Sequence, residues 1–174
     1  MAKMLVLIPF LAMGVWAQVR AIPSDFSELL QKMNEPSVSE LATDSTAEVY
    51  RVIYREDKGI DGRVAVRVEL NRNGTAEVIT KWLAGAGKKL ESRSGLISTE
   101  EFRSLRELIE QTSFWLEQQE PLVAMKHGDT WILEAVKDGR YHKLTVQLPE
   151  SPNVARVIGE RLLALGKSPF IPQK

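Results

Sequence analysis

Two histidines, His127 and His142, are the side chains in this chain best suited to act near neutral pH as a base or as metal ligands. His127 stands in His127-Gly128-Asp129, just ahead of a strand pattern, and His142 follows Tyr141 at the start of the next one. If the two strands pair with Trp131 opposite Val146, His142 faces Ala135 near the hairpin tip and His127 lies beyond the other end. At about 3.3 Å of rise per residue the two imidazoles are then more than about 20 Å apart. One metal ion cannot use both, and no metal site is expected. As a lone base, His142 would draw on Glu134, which is close in sequence. Alternation, however, sets His142 on the side of Leu144 and Val146 and Glu134 on the opposite side, where Lys143 is its expected cross-strand partner.

The other chemical groups carry less. Glu100-Glu101 belongs to a helix start, where negative charge suits the helix dipole, and Asp57 and Asp61 fall in a turn without the ligand spacing of a calcium loop. There is no Gly-x-Ser-x-Gly elbow and no Ser-x-x-Lys set with its companion motifs. Gly85-Ala86-Gly87-Lys88 is too short for a phosphate loop, and no cofactor is expected. The absence of cysteine removes disulfides, thiolate catalysis and cysteine-held zinc or iron-sulfur centres. Trp82, Trp115 and Trp131 each fall on an expected core face, with a pocket lined by two of them left open. The 23 basic and 23 acidic residues cancel, which speaks against a nucleic-acid partner.

The elements that must position these residues begin after an export signal. Lys3, the apolar run Met4 to Val15 and the ending Val15-Trp16-Ala17 have the order of a signal peptide, 1–17, with cleavage after Ala17 or, alternatively, after Ala21. Lys3 and Arg20 bracket fewer apolar residues than the about 20 a spanning helix needs, so no stable membrane anchor is expected after cleavage. The destination is periplasmic or extracellular. The mature part, roughly 155 residues, suits one domain with its own core. Residues 18–46 read as an N-terminal helix and linker: Phe26, Leu29, Leu30 and Met33 repeat at helical spacing up to Pro36, and Asn34 to Thr46 is a polar surface connection that lets the helix sit loosely.

Residues 47–174 read as a single α+β domain. Tyr50 to Arg55 is a strand. Val64, Val66, Val68 and Leu70 then alternate with Arg63, Ala65, Arg67 and Glu69, and Gly74 allows a three-residue turn that pairs Leu70 with Ala76 and Val68 with Val78. Gly85 to Gly95 reads as an exposed loop. Ser98 and Glu101 form a capping box ahead of a helix with the stripe Phe102, Leu105, Leu108, Ile109, Thr112 and Trp115 or Leu116. Asp138-Gly139 turns a second hairpin in which Leu133 faces Leu144 and Glu134 meets Lys143. Ser151-Pro152 opens a last helix that Gly166 ends. The sum is an antiparallel sheet of about five strands, two hairpins plus one strand, with helices packed on one face.

Such a sheet leaves its other face for a partner, with Ile132, Glu134, Val136, Tyr141, Lys143 and Thr145 on the second hairpin. A second layer of fold or a homodimer contact is the competing use of that face. The ligand or partner surface is therefore placed around Trp131, Glu134, Tyr141, His142 and Lys143. Trp131-Ile132-Leu133-Glu134, Gly139 and Tyr141-His142, with Phe114-Trp115 and Gly128 before them, resemble a W-x-L-E-x4-G-x-Y-H hairpin pattern of small uncharacterised bacterial proteins. That group commonly ends the second strand with an aromatic and a proline, and here the aromatic is missing before Pro149. The resemblance implies the hairpin and no activity. Three functions stay open: a non-enzymatic binding or protein-interaction module of the cell envelope, which is preferred; a small envelope hydrolase with its site near His142 and Glu134; and a self-associating structural component.

Overall fold

The computed structural model describes residues 24–56, 63–84, 89–118, 128–147 and 153–169. The export signal, the 57–62 turn, His127 and the Ser151-Pro152 cap lie outside them. Six strands form one antiparallel sheet: β1 (Val49–Arg55), β2 (Arg63–Leu70), β3 (Ala76–Ala84), β4 (Lys89–Ile97), β5 (Thr130–Lys137) and β6 (Arg140–Gln147). Their spatial order is β4-β3-β2-β1-β5-β6, so β1 to β4 run as a meander and the β5–β6 hairpin adds to the other side of β1. Among the described residues three α-helices accompany them, α1 (Ser24–Lys32), α2 (Thr99–Gln111) and α3 (Val154–Leu165), with short 3-10 helices at Ser39–Thr43 and Phe114–Leu116.

Both hairpin registers follow from turn chemistry. Leu70 pairs with Ala76 and Val68 with Val78, around a turn whose Gly74 takes φ 82°. In the second hairpin Asp138 (φ 53°) and Gly139 (φ 70°) are both left-handed, as a two-residue primed turn needs. Leu133 accordingly faces Leu144, Trp131 faces Val146, Ala135 faces His142 and Glu134 faces Lys143. The Ser98–Glu101 capping box is formed, with the Glu101 backbone N–H donating to Ser98 Oγ and the Ser98 N–H donating to Glu101. The α2 stripe does not run on to Leu116 as one helix: the chain breaks at Ser113, which is left-handed at φ 57°, and restarts as the 3-10 turn. The α3 cap is Asn153, whose side chain accepts from the Ala155 N–H.

Alternation sorts the strand residues into two buried faces. Tyr50, Val52 and Tyr54 of β1, Val64, Val66 and Val68 of β2, and Trp131, Leu133 and Ala135 of β5 pack with Phe102, Leu105 and Ile109 of α2 and with Ile158, Leu162 and Leu163 of α3. On the opposite face, Ile53, Ala65, Leu83 and Ile132 meet Phe26, Leu29 and Leu30 of α1 and Met33 just past its end. Val38, Val49 and Val136 continue this second layer beneath Leu41 and Ala42 of the first 3-10 helix. Burying each such branched side chain contributes about 1.5–3 kcal/mol, enough to hold α1 down.

Three expectations are thereby corrected. The sheet has six strands rather than about five, because Lys89–Ile97, most of it inside the Gly85–Gly95 stretch expected to be a loop, pairs with β3 along its whole length from Ala76↔Ile97 to Ala84↔Lys89. An edge strand is wet on most of its surface and can be polar, so hydrophobic alternation does not reveal it. The second face is not open where the second hairpin was expected to present it: α1 and the following turn lie over β1 and β5, and Ile132, Glu134, Val136 and Thr145 are all buried. Nor is Asn34 to Thr46 merely a surface connection, since Val38 is buried within it.

Close packing of α3 supplies a test. A Cβ on Gly159 would stand 2.4 and 2.5 Å from ring carbons of Trp131. Gly159→Ala is therefore expected to lower stability by about 1–3 kcal/mol through overpacking, read as a reduced urea midpoint with an unchanged m-value.

Candidate functional site

The five residues placed on a partner surface separate onto opposite sides of the sheet. Trp131 is a core residue, 1% exposed, with Tyr54 at 5.0 Å between ring centroids and Gly159 against its ring. His142 shares its face. Glu134, Tyr141 and Lys143 lie on the other, and the sheet backbone stands between them and His142. The pairing of His142 with Glu134 that acid-base chemistry would need is therefore not formed.

Glu134 instead belongs to a buried charge cluster that sequence reading missed. Arg51, 1% exposed in the middle of β1, donates from Nε to Glu134 Oε2 at 2.9 Å and from Nη2 to the same oxygen at 2.5 Å. Its Nη1 donates to the Pro36 carbonyl at 2.7 Å and to Glu35 Oε2 at 3.2 Å. The same Glu35 oxygen accepts from Arg67 Nε at 3.2 Å, and Lys81 Nζ is 3.0 Å from the other. Tyr141 donates its hydroxyl to Glu134 Oε1 at 2.8 Å. Burial and the Glu134 charge push the Tyr141 phenol well up, which keeps it protonated as a donor. Burial also lowers the Lys143 ammonium, and Glu134 opposes that shift.

The cluster explains an otherwise unfavourable register. Arg51 sits directly opposite Arg67 on β2, a like-charge pair that destabilises a sheet. Glu35 Oε2 accepts from both guanidiniums and cancels the repulsion. Glu35 arrives just past α1, after left-handed Asn34 (φ 50°) turns the chain and the Asn34 carbonyl accepts from Lys81 Nζ at 2.6 Å. One sequence signal was available. Val49-Tyr50-Arg51-Val52-Ile53-Tyr54 is apolar on both strand faces except at Arg51, and a lone charge in such a strand is buried and needs a counter-ion.

His142 occupies a different setting at the β6 margin. Its ring meets Phe114 edge-on, 4.8 Å between centroids and 85° between planes, with Trp115 at 6.2 Å. The Arg140 guanidinium lies over the Trp115 ring at 5.2 Å. Among the described residues, His142 Nε2 and Trp115 Nε1 find no hydrogen-bond partner. Burial lowers the His142 imidazole below its ordinary 6.5, against the opposing charge and backbone hydrogen bond of Glu117. Leu116, next to Trp115, points outward and is 81% exposed.

Elsewhere, a cleft of about 200 Å³ lies between α1 and the end of the sheet where β1 finishes and β2 begins, lined by Phe26, Glu28, Leu29, Lys32, Arg55 and Arg63. Within it Lys32 pairs with Glu28 at 2.8 Å and Arg55 lies over the Phe26 ring at 5.0 Å. Among the described residues, no group of three or more His, Asp or Glu side chains could hold a metal ion. No protein-family model matches the chain, and no curated protein matches it.

Two outcomes test these assignments. Arg51→Met strips Glu134 of its buried partner and is expected to cost about 3–5 kcal/mol in urea unfolding, whereas Arg51→Met/Glu134→Leu loses less than the single variant. For His142, the unfolded chain takes up a proton near 6.5 while the folded chain resists it to a lower pH. Acidification below 6.5 therefore drains stability. His142→Gln should flatten that part of the pH profile of the urea midpoint.

Proposed function

We propose that this chain is a non-enzymatic binding or protein-interaction module of the bacterial cell envelope, docking a protein partner at the β6 margin of its sheet. The observation that carries this reading is Leu116. It is the most exposed of the large apolar side chains described, 81% against 72% for Leu96 and 39% for Leu90. A 3-10 turn anchored by buried Phe114 holds it outward. Next to it in the chain, Trp115 has the His142 ring at 6.2 Å between centroids and the Arg140 guanidinium at 5.2 Å, and tryptophan and arginine are residue types that interfaces favour. The matching partner segment offers an apolar side chain to cover Leu116 and a carboxylate to meet Arg140. Tyr141 and Lys143, half-buried on the other side of β6, flank the same margin.

Export to the periplasm or beyond rests on Lys3, the apolar run Met4 to Val15 and Ala17. The hydrolase alternative is disfavoured by geometry, because Glu134 is held by Arg51 and Tyr141 on the face away from His142. Binding through the β6 margin predicts a specific loss. A photoreactive residue at exposed Gln118 should capture an envelope protein, and Leu116→Lys in the same chain should abolish that capture while leaving the circular dichroism spectrum unchanged. Capture insensitive to Leu116→Lys overturns the reading, as does a hydrolytic activity that His142→Ala removes from a folded chain.

A further inference from the structure

We propose that the opposite margin of the sheet is a self-recognition surface, on which β4 pairs antiparallel with β4 of a second copy of this chain about a two-fold axis at Arg93. Among the described residues, β4 hydrogen-bonds to β3 on one side only and is the terminal strand of the sheet. Its outer side presents a row of backbone donors and acceptors, the template for strand addition. Native edges are commonly blunted by shortness, proline, a bulge or charged side chains, lysine above all. Here the strand runs nine residues, contains no proline, and keeps an uninterrupted register with β3.

The side chains of β4 divide by face in a way that suits a second copy. Its charged residues, Lys89, Glu91 and Arg93, all lie on the face of α2 and α3, across from Ala84, Trp82 and Thr80. They are engaged within the molecule: Lys89 pairs with Glu91, and Arg93 donates to the Gly166 carbonyl at 3.1 Å with its guanidinium 5.5 Å over Trp82. The other face carries Leu90, Ser92, Ser94 and Leu96, all exposed and without charge. Read in either direction this row is the same, Leu, Ser, Ser, Leu.

That palindrome selects the partner and the register. An isologous interface must be self-complementary, and antiparallel pairing about Arg93 sets Leu90 against Leu96 of the other copy twice and Ser92 against Ser94 twice. It also uses the full length of the strand, because Arg93 is the midpoint of Lys89–Ile97. A one-residue slip would set the two copies on opposite faces. Moving the axis to Ser92 would put Leu90 against Ser94 and leave Leu96 unmatched. The one like-charge meeting, Arg93 against Arg93, falls on groups each already tied to Trp82 and Gly166.

The chain has no cysteine, so an introduced thiol is its only one. Ser92→Cys and Ser94→Cys are exposed substitutions. Under mild oxidation of the purified full chain, an equimolar mixture of the two should give the mixed disulfide dimer well above what either gives alone. Sedimentation equilibrium should show a dimer whose dissociation constant rises by about tenfold for Leu96→Lys, which removes both leucine pairs, and stays unchanged for Leu116→Lys at the opposite margin. A mixture that crosslinks no better than its components overturns the proposal. So does a dimer sensitive to Leu116→Lys and not to Leu96→Lys. Dominant crosslinking of Ser92→Cys with itself would also overturn it, since that places the axis at Ser92.

Discussion

A guanidinium withdrawn from water in the middle of a sheet has to be met by acceptors from every side, and Arg51 is that constraint here. Its donors reach β5 through Glu134 and reach the end of the N-terminal helix through Glu35 and the Pro36 carbonyl. The strand it sits on is central, with β2 on one side and β5 on the other. Three parts of the chain far apart in sequence are thus held in one arrangement by one side chain. The apolar contacts under α1 supply most of the favourable free energy. They are non-directional, however, and would tolerate small shifts of the helix along the sheet. The charge cluster does not tolerate them, because a slip leaves a buried carboxylate or guanidinium unpaired.

The same arrangement decides where function can lie. With both faces of β1 and β5 covered, the exposed surface of the sheet lies toward its margins. The two differ in chemistry. At β6 an aromatic and imidazole cluster carries a projecting leucine with an arginine beside it. At β4 a flat, uncharged row of leucine and serine lies along an unpaired backbone. A partner of different sequence suits the first, and a copy of the same strand suits the second. The two surfaces lie at opposite ends of the strand order, so occupation of one leaves the other accessible.

Sequence patterning was most legible where one physical signal decides the outcome. Asp138-Gly139 and Asn73-Gly74 specify turns whose left-handed residues set the hairpin registers, so the pairing of Leu133 with Leu144 and of Val68 with Val78 could be worked out by counting. The Ser98–Glu101 capping box is equally local. Where two signals compete, the reading failed. β4 is polar because it is an edge, and polarity with glycine also describes a loop. Charge alone would set Arg63, Arg67 and Glu69 on a wet face, yet Arg67 is buried and pairs with Glu35.

What the sequence determined by itself is the set of local choices: strand or helix by period, turn by glycine and aspartate, helix start by serine and glutamate, and a chain without thiol chemistry. These depend on residues within a few positions of one another. The tertiary structure alone decided that α1 packs on the second face, that Glu134 turns to Arg51 rather than to His142, and that β4 stands at an edge. Each of those outcomes depends on groups far apart in the chain, as with Arg51 and Glu134, 83 residues apart. Period and propensity carry no information about which distant carboxylate a buried charge will find. Burial does, because a desolvated ion accepts only the arrangement that satisfies it.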